Sequence, residues 1–230
     1  MVFLYQSIDI WGYRSLQIRK EFESIYGIPQ HSFRCFSGIP EYYLTTATQR
    51  EWNKKINNFI FVGLLIKRKY PDCIIKALHN VYQKQNYHLD IIGNGEMEND
   101  LKKLTIKLNS TDNVSFHGRI PRENIIDKLD KADVFIMISK NEVFGLVYIE
   151  AMARGCIVVA SQDEGMEGII EHGKNGFLCK AGDQNNLEDI IQTINQLSTS
   201  EKQQISLNAQ KTAINFTDIN AAKSYIENII

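Results

Sequence analysis

The sequence is short of net charge. Over 230 residues, 26 Lys and Arg stand against 27 Asp and Glu, leaving a formal charge of −1. A protein whose main business is coating nucleic acid draws its affinity from phosphate neutralisation and carries a basic excess, so the balance argues against that class. Long apolar runs are missing too. The longest, Phe59 to Ile66, is eight residues including a glycine, where a membrane-spanning helix needs about 20. The N-terminus, Met-Val-Phe-Leu-Tyr-Gln-Ser-Ile-Asp, has no basic region before its apolar stretch, unlike a secretory signal. Cys35, Cys73, Cys156 and Cys179 form no C-x-x-C and have no His at zinc spacing, so neither a disulfide framework nor structural zinc is expected, and a reduced cytoplasmic compartment fits best. Without D-x-D or H-E-x-x-H, no metal site is suggested. The five histidines form no triad.

What is present is ordinary globular composition, 43% apolar and 23% charged, at a length that allows one large domain or two modest ones. From residue 58, short β-branched runs with little alternation (59–62, 89–92, 134–138, 156–160) read as strands buried on both faces. Residues 114–116 and 177–179 are shorter candidates. Helical spacing of apolar residues marks 70–85, 96–108, 121–131 (with Pro121 in the first turn) and 145–154, the last stopped by Gly155. Strand and helix in strict turn predict an α/β doubly wound parallel sheet. Residues 184–198, 200–212 and 219–230 read as extra C-terminal helices. Ahead of residue 58, 2–6 and 32–36 are strand candidates and 14–25 a helix, while 38–57 reads as a linker.

Between Val143 and Ala153 the only charged residue is Glu150. A carboxylate in an apolar helix carries a desolvation penalty unless it is hydrogen-bonded. Two readings answer this: an ion pair with a nearby Lys or Arg, or ligand hydroxyls. Glu142 stands between the preceding strand and this helix, at a carboxyl end of the sheet where ligands of open α/β folds bind. Gly145, beside Phe144, lets helix N-terminal amides approach an anion. A glycosidase acid–base pair is rejected. If both lay on one helix, eight residues at helical rise would separate their Cα atoms by about 12 Å, whereas working carboxyl pairs lie about 5–9.5 Å apart.

Gly63 follows a buried strand and leads to Lys67, Arg68 and Lys69, a combination suited to a diphosphate; a solvated basic run is the plainer alternative. Gly93-Asn94-Gly95 lacks the third glycine of a dinucleotide fingerprint. The Gly168-to-Asn175 segment approaches phosphate-loop spacing but has Asn175 where a Ser or Thr would be needed. Both are expected to be turns.

Taken in order, Gly63 to Lys69, Gly93-Asn-Gly95, Asn113 to Gly118, Glu142-x7-Glu150-Ala-Met-Ala-Arg-Gly155 and Gly168 to Leu178 resemble the family 4 retaining glycosyltransferases of the GT-B fold, over about residues 58–230. The resemblance implies a donor domain that binds a nucleotide-diphosphate sugar without a metal or other cofactor. It implies that Glu150 binds the ribose hydroxyls, Glu142 lies against the transferred sugar, and Phe144, Gly145 and Leu146 offer backbone amides. By the same resemblance Lys69 neutralises the leaving diphosphate, Gly63 belongs to the donor site, and Arg119 and Ile120 flank the base. The family's Arg after the strand glycine is Leu64 here, a loss for which Arg68 would compensate. UDP, GDP and ADP donors are equally compatible, and a polysaccharide or glycolipid is the family's usual acceptor.

Residues 1–57 resemble only the last strand–helix of the acceptor domain and its linker, with Gly38-Ile39 at the linker glycine. The expected partner is therefore a separately encoded acceptor domain, or a second copy joined through an exposed apolar cleft face. Peripheral contact with the inner face of the membrane is compatible with this reading; nucleic acid is not expected. A donor-binding or remnant module without transferase activity is the alternative. A dinucleotide-dependent oxidoreductase is disfavoured by the broken glycine fingerprint.

Overall fold

The computed structural model describes residues 9–45, 50–53, 55–83 and 86–229; the expected strand at 2–6 lies outside them. The described residues begin with β1 (Trp11–Tyr13), α1 (Leu16–Tyr26) and β2 (Ser32–Arg34), the strands pairing in parallel. Alternation places Trp11 and Tyr13 on one face of this pair, where Phe22 of α1 meets their rings at 4.3 and 6.2 Å. Ser15 caps α1, its hydroxyl accepting from the Ile18 amide at 3.3 Å.

The described residues of the 38–57 stretch contain a helical turn, α2 (Tyr42–Thr45), and bury Ile39, Tyr43 and Ile56. Arg50 donates to the carbonyls of Leu129 (2.9 Å) and Arg154 (3.1 Å), and Arg154 donates to the Tyr43 carbonyl at 3.0 Å. Loop composition reads as polar spacer in sequence, but here its polar groups serve to satisfy helix-end carbonyls.

The main sheet contains β3 (Asn58–Val62), β4 (His88–Ile92), β5 (Val114–Gly118), β6 (Val134–Met137), β7 (Ile157–Ser161) and β8 (Phe177–Cys179). All pairings are parallel and the order is β5-β4-β3-β6-β7-β8. Helices α3 (Pro71–Tyr82), α4 (Glu98–Lys107), α5 (Arg122–Lys131) and α6 (Leu146–Ala153) fill the crossovers, giving the doubly wound α/β fold that the alternation predicts. Every residue of β6 and β7 is buried, as strands covered on both faces must be. Pro121 stands just before α5 as its cap rather than within its first turn. Gly155, at φ +74°, ends α6 as a left-handed residue.

Three C-terminal helices follow: α7 (Gln184–Gln196), α8 (Thr199–Ala213) and α9 (Asp218–Ile229). The chain returns to its beginning beside its outward path. The Ile39 amide donates to the Phe216 carbonyl at 2.8 Å, and the Asp218 amide to the Ile39 carbonyl at 3.0 Å. A Cβ on Gly38 would stand 2.2 Å from the Thr217 backbone, so the crossing requires glycine. Beyond it α9 covers the other face of the β1–β2 pair, with Tyr225 edge-on to Phe33 at 5.6 Å. Among the described residues no helix is long and apolar enough to cross a membrane.

Candidate functional site

Strand order reverses between β3 and β6, so the crevice of this sheet opens at their carboxyl ends. On the β3 side a cavity of about 460 Å³ is lined by Gly63, Leu64, Gly93, Asn94, Arg119, Ile120 and Ile125, among others. Three sequence-predicted residues, Gly63, Arg119 and Ile120, thus share one mostly apolar chamber. Gly93 and Gly95 explain its shape. A Cβ on Gly93 would fall 1.9 Å from the Gly63 carbonyl oxygen, and one on Gly95 2.4 Å from that of Leu65. These glycines let the β3 and β4 loops lie against each other, joined by the Leu65 amide to the Asn94 carbonyl at 2.9 Å. The turn expected at 93–95 is therefore the wall of the cavity.

Lys67–Lys69 form one 3₁₀ turn, which aims Lys69 inward. Its ammonium is mostly buried and pairs directly with Glu142. The same carboxylate accepts from the Ser139 hydroxyl at 3.1 Å. Arg68 reaches within 4.0 Å of Glu142 but donates to the carbonyls of Lys140 (3.3 Å) and Asn141 (3.2 Å). Lys69 therefore points at the crevice, while Arg68, half-exposed beside it, also clips the β6 loop to the β3 loop.

Glu142 precedes α6, so the two conspicuous carboxylates are not on one helix. Gly145, at φ +76°, caps α6, with Phe144 buried before it and Leu146 opening the first turn, in which the Tyr148 amide donates back to the Gly145 carbonyl at 3.0 Å. Behind this loop sits an acid that sequence reasoning missed. Glu164, buried, accepts the Glu142 backbone N–H at 2.8 Å. The neighbouring Gly165 packs so tightly that a Cβ there would lie 2.7 Å from both the Glu142 carbonyl oxygen and the Phe144 nitrogen.

Glu150, 4% exposed, is held by an ion pair. Arg122, the first residue of α5, donates from Nε (2.8 Å) and Nη2 to one oxygen, Oε1. The Arg122 guanidinium also lies over the Tyr43 ring, 5.8 Å from its centre. Burial pushes the Glu150 carboxyl above its ordinary value, and the charge and hydrogen bond of Arg122 and the Tyr43 hydroxyl only partly restrain it. The ion-pair reading of the isolated carboxylate has its cation in Arg122. Arg122 had one signal in the sequence, a cation beside Pro121 at a helix start, where the macrodipole disfavours it.

The Gly168-to-Asn175 segment is a clipped turn rather than a phosphate loop. The Asn175 side chain accepts from the Glu171 amide (2.7 Å) and donates to the Ile169 carbonyl (3.0 Å) and the Thr212 hydroxyl (2.9 Å). Among the described residues no three His, Cys, Asp or Glu side chains gather to hold a metal ion.

A Rossmann-like parallel sheet thus carries an apolar cavity, a lysine–carboxylate pair and a helix N-terminus at the carboxyl ends of its strands. Residues 45–212 match the family model for group 1 glycosyl transferases, and the chain belongs to that family. It is 35% identical over 139 residues to an uncharacterised glycosyltransferase of Haemophilus influenzae, covering 59% of this chain and 38% of that protein. It is 26% identical over 201 residues to a GDP-mannose-dependent mannosyltransferase of Corynebacterium glutamicum acting on a monoacylated phosphatidylinositol monomannoside, covering 80% of this chain and 52% of that one. Among solved structures, Anabaena HepE in complex with UDP and glucose superposes with a TM-score of 0.81 at 22% identity, over 96% of this chain and 63% of HepE. The matches thus span roughly a third to two thirds of these relatives' own lengths.

Proposed function

We propose that residues 58–230 are the donor-binding domain of a retaining glycosyltransferase, which takes a nucleotide-diphosphate sugar and passes its glycosyl group to a polysaccharide or glycolipid acceptor. Residues 1–57 belong on this reading to the acceptor domain and its connection. What supports it is an apolar cavity at the carboxyl end of β3 together with the Lys69–Glu142 pair, which joins the segments that follow β3 and β6. The base occupies the cavity against Arg119 and Ile120, beside Gly63. As the glycosidic bond breaks, its electron pair stays on the diphosphate oxygen, and the nearby Lys69 cation, supplemented by Arg68, stabilises that growing charge. The acceptor hydroxyl oxygen bonds to the same face of the sugar as its proton passes to the departing diphosphate oxygen, so the configuration is retained. Glu142 faces the sugar, amides of Phe144, Gly145 and Leu146 line its approach, and Glu150 accepts from the ribose hydroxyls.

Ile10, Ile25, Tyr26 and Ile28 are exposed at and beside the β1–α1–β2 unit, which supports docking of a complementing acceptor domain there. Work at the inner face of the membrane, in polysaccharide or glycolipid synthesis, fits this scheme. The second reading, a donor-binding module without transfer activity, rests on the exposed Leu64 at the cavity rim, where the family resemblance calls for a cation.

Calorimetric titration with UDP-glucose, GDP-mannose and ADP-glucose, alongside E150A, tests the donor site. Binding of one donor, weakened by about 1–3 kcal/mol in the variant, is expected for loss of buried hydrogen bonds. A folded chain that binds none of them would overturn the proposal.

A further inference from the structure

We infer that Arg122 is a positioning residue of the donor site, which fixes Glu150 as an ionised acceptor for the ribose hydroxyls; the inference rests on the ribose reading of Glu150 proposed above. Three observations meet here. Arg122 sits in the first turn of α5, where a cation opposes the helix dipole; such a local violation needs a compensating partner, and Glu150 is that partner. The guanidinium fork does not take both carboxylate oxygens, its usual bidentate mode. Nε and Nη2 converge on Oε1. A carboxylate offers about four lone-pair sites, so accepting capacity remains even with the Tyr43 hydroxyl alongside. Finally, the pair is graded in exposure, with the Glu150 side chain 5% exposed and that of Arg122 45%. Arg122 keeps contact with solvent while Glu150 stays inside, so the cation offsets the acid's burial without itself being fully desolvated.

The charge matters because of what a ribose presents. Its hydroxyls can both donate, and an ionised carboxylate is acceptor-only, whereas a protonated one surrenders a lone pair and adds a competing donor. Tyr43 ties the arrangement to the N-terminal segment: its hydroxyl lies 3.4 Å from the Arg122 carbonyl oxygen, and its own carbonyl is held by Arg154. The ribose-binding acid is thereby set by α5 and by the 38–57 segment together.

The test compares UDP with its 2′,3′-dideoxy analogue, and GDP with its own, in wild type, R122M and R122K, with thermal melting of each variant. Wild type is expected to prefer the complete ribose by roughly tenfold to a hundredfold, the range for hydrogen bonds to a charged group. In R122M that ratio falls below about threefold, and in R122K, which keeps the cation without the fork, it lies between. If one variant does not fold, the other is read on the same terms: a ratio below wild type supports the inference. A ratio equal to or above wild type in a folded variant would overturn it, showing Arg122 to be a bystander or a competitor of the ribose. If wild type binds both analogues equally, the ribose reading of Glu150 fails first, and the positioning role falls with it.

Discussion

Gly165 offers a perturbation whose size is set by backbone geometry. The ideal Cβ of an alanine there would lie 2.7 Å from the Glu142 carbonyl oxygen, 2.7 Å from the Phe144 nitrogen and 2.8 Å from the Phe144 Cα. Non-bonded heavy atoms settle at about 3.5–4.0 Å, so G165A must open a gap of about 0.7–1.3 Å. None of the three atoms belongs to a side chain that could rotate away. Either the Glu142–Phe144 loop or the segment carrying Glu164 must move, and the 2.8 Å bond from the Glu142 amide to Glu164 resists their separation. Overpacking of this kind destabilises by about 1–3 kcal/mol. A displacement near 1 Å at reacting groups can reduce rate by about a hundredfold. The cavity beside Gly63 and Arg119 is built by other loops, so the account separates the two halves of the ligand. G165A should bind the free nucleoside diphosphate within about twofold of wild type, yet lose the added affinity conferred by the sugar. Paired calorimetric titrations with UDP and UDP-glucose, or the GDP and ADP equivalents, read this directly, with thermal melting reporting the stability change. Unchanged melting together with unchanged sugar-dependent affinity would refute the argument that this loop is sterically clamped.

Other expectations follow from the same geometry. E150Q should weaken nucleotide binding while leaving thermal stability at neutral pH equal to or above wild type. The folded-state value of Glu150 is raised above its ordinary 4.5, so the acid's relative contribution is present below that value and is lost as pH rises through the folded value. The variant's advantage should therefore grow with pH, and a large melting penalty at neutral pH would contradict it. Asp90 behaves in the opposite sense. Burial pushes it up, but the His117 hydrogen bond and the charges of Lys128, His117 and His88 outweigh burial and hold it below its ordinary 3.8. Its stabilisation is present above that value and lost as pH falls through the folded value; D90N should melt below wild type at pH 7, with the gap closing below pH 3.8. G93A should abolish donor binding, because its Cβ would collide with the Gly63 carbonyl and its φ of +132° suits glycine alone. A variant that binds normally would show the β3–β4 loop contact to be dispensable.

The parallel sheet was legible because both-face burial erases alternation: Val134–Met137 and Ile157–Ser161 read as continuous apolar runs and are wholly buried. Glu142 and Glu150 stood out for a related reason, since a charge inside an apolar window is costly and must be answered. What answers it was not legible. Arg122 lies 28 positions from Glu150 and Glu164 lies 22 from Glu142, and no local periodicity encodes such contacts. The 38–57 segment misled because composition reports polarity, whereas Arg50 and Tyr43 are polar groups used to satisfy buried carbonyls and to fill the core. The glycines at 93 and 95 matched no complete fingerprint, yet each is required by a neighbouring backbone rather than by a turn.

The most direct test of the central claim is a crystal structure of the chain with the nucleotide sugar that calorimetry selects. The expected complex has the base in the cavity between Gly63, Asn94, Arg119 and Ile120, the diphosphate beside Lys69, and the ribose hydroxyls on Glu150. A nucleotide bound elsewhere, or one whose ribose leaves Glu150 untouched and whose diphosphate lies away from Lys69, would contradict it.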